Sequence, residues 1–516
     1  MLAAAPISAE ELAALEAAGL GEVGAKLLRR IEHDRQEIDR RDVKLEKLSF
    51  EIAQLRRLKF GKKSEQLDAE QRALFDEAVD ADIAAAEAKL QELLGKKKPP
   101  ATPGERSKRA ALPANLPRVD RHHEPENTNC ACGCALKRIG EDVSEKLDYT
   151  PGVFTVERHI RGKWACAQCR TLTQAPVPAE IIDKGIPTSG LLAQVLVAKY
   201  ADHLPLYRQE AIFGRAGVAL PRSTLCAWIG VCGLRLQPLV DALKAHVMAC
   251  KVVHADETPV AMLAPGTGKT HRAYLWAYAA GAFEPLRAVV YDFTESRAGE
   301  HARAFLGDWR GSLVCDDYTG YKASFALGVT EAGCMAHARR KFIELHEANK
   351  STIAAAAIDL IGQLYGIERE VKLLSPQQRL HERRTRAAPI ARALHDWLLA
   401  QRGKITDGTA TAKAIDYSLN RWAALTRYLD DPALPIDNNH DEQQIRPWAT
   451  GRKNWLFAGT LLAGQRAAAI MSLIQSAKLN GHDPYAYLKD VLQRLPTQRV
   501  SDIEDLLPHR WTPRTH

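Results

Sequence analysis

Residues 251–260 read KVVHADETPV, and residues 312–321 read SLVCDDYTGY. Each stretch sets an aspartate after a run rich in apolar residues, Asp256 in the first and Asp316 in the second, as expected near the ends of two strands. Far downstream, IDNNHDEQQIRPWATGRKNW at 436–455 carries Glu442 on a predicted helix. Two strand aspartates and one helix glutamate form a set of hard oxygen ligands suited to two divalent cations, Mg²⁺ or alternatively Mn²⁺. Such a pair serves phosphodiester chemistry, one ion activating the attacking oxygen and the other stabilising the leaving oxygen.

The pattern around the aspartates predicts strands over Val252 to Asp256, Arg272 to Ala280 and Leu286 to Phe293, then a helix around Arg297 to Phe305 and a strand ending near Asp316. Three strands, helix, strand is the ribonuclease H-like order, which sets the first and fourth strands side by side. It brings Asp256 close to Asp316 across 60 residues (316 − 256). An isolated strand aspartate is ordinarily exposed and inert. Both of these lie in apolar runs, where burying two like charges is costly unless a cation compensates. Alternation sends the neighbours Glu257 and Asp317 to the opposite faces. Asp437, Asn438 and Asn439 suit the cap of the Glu442 helix, and Glu442 and Arg446, four apart, share a face, either as a metal ligand beside a phosphate contact or as an ordinary ion pair. Asp437 and Asp441 are the alternatives to Glu442. The 126 positions from Asp316 to Glu442 (442 − 316) exceed what a minimal core needs. Leu360, Leu364, Ile367 and Val371 on one face, and Ile415, Leu419, Trp422 and Leu425 on another, predict an all-helical insertion. Trp397 and Trp422 could stack on unpaired bases, although such residues are more often core.

At 516 residues the chain is long enough for several domains. Its 46% hydrophobic and 26% charged composition is that of an ordinary globular protein. No run approaches the roughly 18 apolar residues of a membrane span, and the first residues lack a secretion-signal pattern, so a cytoplasmic location without membrane contact is expected. Net charge is only +8, but the basic residues gather at Arg56 to Lys63, Lys96 to Arg109 and Arg379 to Arg386, which predicts separate phosphate-contacting surfaces. Ten cysteines in such a compartment point to metal binding rather than disulfides.

Ile31, Ile38, Leu45 and Ile52 recur every seven residues, with Leu48 and Leu55 as second seam positions, giving a coiled-coil candidate over about 25–60. Asp34 and Arg41 weaken the earlier seam, so an amphipathic helix packed on its own protein is the competing reading. KKKPPATPGERSKRA, 96–110, reads as an exposed linker. Cys130, Cys132 and Cys134 then precede Cys166 and Cys169, the plan of a structural Zn²⁺ site. The first knuckle reads CACGC, so Cys132 pairs with either Cys130 or Cys134, with His122 and His123 as substitutes. Residues 189–231 read as helix, turn and helix, with Pro221 in the first turn of the last helix and Arg222, Ser223 and Thr224 at the end that would meet base edges. PGTGKTHR at 265–272 ends like a phosphate-binding loop, but Leu263 stands where that loop needs glycine, and a hairpin turn is the better reading.

RLKFGKKSE, HADETPV, FxxxRAGEHARAFL, CDDYTGY, CMAHARRKF, IDNNxxEQxIRP, GRKNWLFAG and LIQSAKLNGHDPYAYLKDVL occur in this order along nearly the whole chain. In this the sequence closely resembles the insertion sequence 66 family of bacterial transposases. The resemblance implies a DDE transposase with a ribonuclease H-like core in which Asp256, Asp316 and Glu442 hold two Mg²⁺ ions. It favours Asp316 over Asp317, Glu442 over its alternatives, and Cys130 and Cys132 with Cys166 and Cys169 as Zn²⁺ ligands. Cys334 and His337 resemble the CxxH element of several DDE transposases, to which a structural or DNA-positioning role is assigned. Arg339, Arg340, Lys341, Arg452 and Lys453 are expected phosphate contacts, as is Arg446.

The fold expected is a multidomain α+β chain: a helical, coiled-coil region over 1–95, a basic linker over 96–120, a zinc module over 121–185 and a helix-turn-helix over 186–246. The ribonuclease H-like α/β core occupies 247–348 and 433–470, interrupted by helices over 349–432 and followed by a helical C-terminus over 471–516. The expected activity is cleavage at element ends and transfer of the 3′-hydroxyl into double-stranded target DNA, by a homodimer or larger assembly with companion proteins of the same element. A catalytically silent DNA-binding relative and a hydrolytic nuclease are the alternatives.

Overall fold

The computed structural model describes residues 21–60 and 69–94, residues 112–150 apart from 113, 115, 126–128 and 130–133, and residues 152–513 apart from 184, 265–268 and 456. The chain divides into two compact units, one from the described parts of Met1–Lys62 and Ile83–Lys108, the other from those of Lys63–Asp82 and Arg109–His516.

In the first unit, α1 (Gly21–Phe60) lies beside the second half of α2 (Ala69–Leu94). Arg56 Nη2 reaches Glu87 Oε1 at 2.7 Å, and Arg41 donates to the Leu93 carbonyl, so the two helices run antiparallel. Leu48, Ile52 and Leu55 are buried, whereas Ile38 on the earlier heptads is 53% exposed. The later seam is thus covered, as an amphipathic helix packed within its own chain requires, and the earlier seam is open.

The second unit begins with a sheet in which β2 (Leu136–Thr150) and β3 (Val153–Cys166) form a long antiparallel hairpin, flanked by β1 (Arg118–His123) parallel to β3 and by β4 (Leu172–Gln174). Next come α3 (Ser189–Tyr200), α4 (Leu206–Arg215) and α5 (Arg222–Met248). Among the described residues α5 is the one helix long and apolar enough to cross a membrane, and here Leu225, Leu236, Leu239 and Leu243 are fully buried in the fold. Gly230 of α5 meets the first half of α2 so closely that a Cβ would stand 2.1 Å from the Ala81 carbonyl oxygen.

The start of α5 corrects the sequence reading. Pro221 is the N-cap rather than a first-turn residue, and no side chain on its own strand of sequence caps it. Ser223 and Thr224 lie inside the first turn, past the position from which a hydroxyl reaches the open N–H groups. Glu210 of α4 supplies the acceptor instead, its Oε1 3.0 Å from Arg222 N, with its charge near the positive helix end. Glu210→Ala is therefore expected to cost about 1 kcal/mol, seen as a lower urea midpoint at unchanged m-value; an unchanged midpoint would refute the cap.

The central sheet joins β5 (Val252–Ala264), β6 (Lys269–Ala280), β7 (Val289–Thr294), β8 (Ser312–Cys315) and β9 (Thr330–Gly333) in the order β7-β6-β5-β8-β9. β5, β6 and β7 are antiparallel neighbours, while β8 runs parallel to β5 and β9 parallel to β8. The helix α6 (Gly299–Leu306) carries the chain from β7 back to β8, and α7 (Lys322–Ala326) leads to β9. After β9 come α8 (Met335–Asn349), α9 (Thr352–Val371), α10 (Pro376–Glu382), α11 (Ala388–Arg402), α12 (Ala410–Asn420) and α13 (Trp422–Thr426). Ile361, Leu364, Ile367 and Val371 point into their shared core. Trp397 and Trp422 pack partly buried against it, so their rings are used for packing.

The Arg379–Arg386 run is not the phosphate surface the sequence suggests. Arg383 is fully buried, donating from Nε and Nη2 to Glu368 at 2.8 and 2.6 Å and from Nη1 to the Tyr428 carbonyl at 2.9 Å. Arg379 is buried too, bonded to the Pro432 carbonyl and lying 3.6 Å from the centre of the Phe283 ring. Helical periodicity turns these two guanidiniums inward; Arg384 and Arg386 stay outside, paired with Asp430 and Glu370.

α14 (Asn439–Trp455), α15 (Leu461–Leu479) and α16 (Pro484–Arg494) complete the unit. α15 covers the edge strand β7, where Ser476 Oγ and Ser472 Oγ accept from Val289 N and Tyr291 N at 3.0 and 2.8 Å. Two serine hydroxyls thereby occupy backbone groups that an open sheet edge would leave unpaired.

Candidate active site

Asp256 sits on β5 and Asp316 directly follows β8, its parallel neighbour, since Val252–His254 pair with Ser312–Val314. Glu442 lies in the first turn of α14. The Asp256 carboxyl is pushed well above the usual carboxylate range by burial first, then by the charges of Glu257 and Asp316, with a smaller push from Glu442; only a hydrogen bond from Glu257 N, at 2.9 Å, opposes this. The Asp256 carboxyl thus feels the charges of both Asp316 and Glu442.

The neighbouring carboxylates are distinguished by their partners. Glu257 is bound by Arg297 and by the Tyr321 hydroxyl at 2.9 Å, its side chain only 1% exposed. Asp317 pairs with Arg421 at 3.4 Å, and Asp437 accepts from the Tyr365 hydroxyl and Asn439 N. Asp316 Oδ1 accepts only a turn hydrogen bond, from Tyr318 N at 2.8 Å. Glu442 meets His337 Nδ1 and Arg340 Nη2, each at 3.8 Å, rather than Arg446, which is exposed one turn on. Asp441, fully buried with neither oxygen hydrogen-bonded, is held well above the ordinary range by burial and then by Asp256. The sequence offered Asp441 only as an alternative to Glu442, not as a fully buried acid without hydrogen bonds.

The helix bearing Glu442 is anchored by a buried contact that the sequence did not reveal. Asn438 Oδ1 lies 2.7 Å from His254 Nδ1, Asn438 Nδ2 donates to the Ala255 carbonyl at 2.9 Å, and Asn438 N donates to Cys334 Sγ at 3.2 Å. The Asn438 side chain thus ties α14 to β5 instead of capping its own helix, across 184 residues. Burial drives the His254 ring down to about 3, so it is a neutral imidazole there. Asn438→Ala is expected to cost about 2–3 kcal/mol by orphaning these groups, measured by chemical denaturation; a loss under about 0.5 kcal/mol would show that the contact is dispensable.

Among the expected DNA contacts, Arg340, Lys341, Arg446 and Lys453 are exposed, and Arg339 is half-buried. Lys341 lies over the Tyr417 ring at 4.5 Å. Arg452 departs from expectation: its Nη1 donates to Thr258 Oγ1 and the Pro259 carbonyl at 2.9 and 2.8 Å, fastening α14 to β5. Ser223 is exposed, with Arg222 and Thr224 half-buried beside it. Of the proposed zinc ligands, Cys130 and Cys132 lie outside the described residues. Cys166 ends β3, and Cys169 N donates to its Sγ at 3.5 Å. Cys134, the alternative ligand, donates to the Gln168 amide oxygen.

Residues 184–466, which hold all three acids, match the profile described as Transposase IS66 family. The chain belongs to the IS66 transposase family. The match extends through the IS66 C-terminal element at 472–509 and the zinc-finger binding domain of transposase IS66 at 127–170. A further family match, Transposase C of IS166 homeodomain, covers 47–121, upstream of α3–α5. Among relatives of this IS66-family chain is a Sinorhizobium fredii protein, y4jD, 40% identical over 417 residues, 78% of this chain and 81% of the relative. A second protein from that organism, y4qI, is 38% identical over 479 residues, 89% of this chain and 88% of the relative. Both carry the description "uncharacterized".

Proposed function

We propose that this IS66-family chain is a DDE transposase that cuts DNA at the ends of an insertion sequence and joins the freed 3′-hydroxyl to target DNA. The observation that carries the proposal is a half-buried aspartate, Asp256, whose neighbouring charges are carboxylates, with no protein cation paired to it, within the segment that matches the transposase family. The order β7-β6-β5-β8-β9, with its first three strands antiparallel and the rest parallel, supports a ribonuclease H-like core.

The residues fit Mg²⁺. Glu442 Oε1 is buried without a hydrogen bond, and Asp256 and Asp316 accept only local backbone N–H groups, so oxygens remain for a hard cation. Glu257 is excluded by its arginine and tyrosine partners. When bound by Asp256, Asp316 and Glu442, two Mg²⁺ ions supply activation of the attacking oxygen and charge stabilisation at the leaving oxygen. The chain's own task is then to hold those acids and grip the DNA backbone. Arg339, Arg340 and Lys341 on α8, with Arg446 and Lys453 on α14, would contact DNA phosphates, while Arg452 fastens α14 to β5. Arg222, Ser223 and Thr224 would meet an element end, and a structural Zn²⁺ on Cys130, Cys132, Cys166 and Cys169 would fix the module at 121–185. Pairing through the open early seam of α1 would give a homodimer that holds two ends, with companion proteins of the element completing the assembly.

The test is incubation of the full chain with its own element ends, target DNA and Mg²⁺. Joined products are expected. Hydrolysed ends alone would replace this reading with a nuclease, and bound but uncut DNA would reduce the chain to a binding protein.

A further inference from the structure

Cys334 holds the N-cap position of α8, directly after β9, and His337 is three residues on, over the same end of the helix. α14 brings Glu442 against them. The sulfur of Cys334, a ring nitrogen of His337 and a carboxylate oxygen of Glu442 all lie within 4.8 Å of one another. Two of these groups lack the partners that burial normally demands: His337 Nδ1 and Glu442 Oε1 are buried without a hydrogen bond, facing each other at 3.8 Å. Cys334 Sγ already accepts from Asn438 N at 3.2 Å, although burial pushes its thiol up to about 12, so metal binding itself must draw the proton off. Neither the acidic trio nor the cysteine knuckle uses this thiol and imidazole.

We propose that Cys334, His337 and Glu442 form a second transition-metal site, taking Zn²⁺ through one thiolate, one imidazole and one carboxylate. Bond lengths of about 2.0–2.3 Å to such ligands put tetrahedral ligand atoms roughly 3.3–3.8 Å apart. The His337–Glu442 pair stands at that separation, and the remaining atoms close in by about 1.5 Å at most. A sulfur ligand selects Zn²⁺ over Mg²⁺. The Cys334 proton leaves to solvent as the metal binds, and three protein ligands leave a fourth position open. Arg340, 3.8 Å from Glu442 Oε2 with its side chain 55% exposed, swings away without loss of packing. Filling the site holds Glu442 toward α8, so Zn²⁺ would withdraw it from Asp256 and Asp316 and suppress the Mg²⁺ reaction. That last consequence rests on the assignment of Glu442 as the third acid; the metal site itself does not.

The test counts zinc by elemental analysis in the desalted full chain, wild type against His337→Asn and Cys334→Ser. Zinc in the cysteine knuckle is common to all three and cancels. One equivalent per chain fewer in each variant is expected, with circular dichroism unchanged. Equal zinc in wild type and His337→Asn overturns the site. Should Cys334→Ser fail to fold, His337→Asn and Glu442→Gln decide the matter alone. A lost equivalent without Zn²⁺ suppression of DNA cutting would keep the metal site and remove the proposed role of Glu442.

Discussion

Asp256→Asn is expected to lower DNA cutting by about 10²–10³-fold or more while making the metal-free protein more stable at neutral pH. The two effects share one cause. Burial and the neighbouring carboxylates raise the Asp256 carboxyl well above its ordinary value of 3.8, so the folded chain binds a proton that the unfolded chain has released. Stability then falls as pH rises from about 4, and the loss is complete above the raised folded value. Asparagine is expected to remove that loss, and Mg²⁺ held by the proposed ligands to offset it in the wild type. Cutting rates, with unfolding followed from pH 4 to 8 with and without Mg²⁺, check both. Wild-type cutting by the variant would show the acids to be misassigned, and an unchanged pH slope would show that the destabilising carboxyl lies elsewhere. Asp316→Asn and Glu442→Gln are expected to lose cutting to the same extent.

Arg383→Ala is expected to destabilise the protein by about 3–5 kcal/mol, in a region that holds none of the three acids. The guanidinium is fully buried and holds Glu368 through two hydrogen bonds while also binding the Tyr428 and Asp431 carbonyls. Truncation leaves the Glu368 carboxylate, itself only 10% exposed, without a counter-charge. Arg383→Met combined with Glu368→Leu should recover most of the loss, because the pair together is worth far less than either charge stranded alone. Chemical denaturation of the single and double variants measures this. A single-variant loss under about 1 kcal/mol would mean that water reaches the carboxylate.

Those two sites mark what the sequence could and could not disclose. The strands around Asp256 and Asp316 were readable because a β-branched apolar run is a local signal, and the structure begins β7 only three residues later than expected, at Val289. The helical insertion was readable from its 3.6-residue apolar period. A run of arginines gives no such signal: whether Arg383 faces water or Glu368 depends on a partner 15 residues away on another helix. The capping of α5 by Glu210 and the fastening of α14 by Asn438 and Arg452 are tertiary choices of the same kind. Polar residues before or within a helix announce a cap or an exposed face, and only the fold sends them to a strand almost 200 positions back. Asp441 was invisible as a buried acid because its neighbour Glu442 has the same charge and differs only in the side of the helix it occupies.

The docking of α14 onto β5 also has a consequence in time. A ribosome adding about 5–20 residues per second needs roughly 6–25 s to travel the 126 positions from Asp316 to Glu442. During that interval the nascent chain has made its cysteine knuckle, α3–α5 and both aspartates, yet has no glutamate to set beside them. On the proposed assignment of Glu442, a polypeptide released during that interval would carry both aspartates without the third acid.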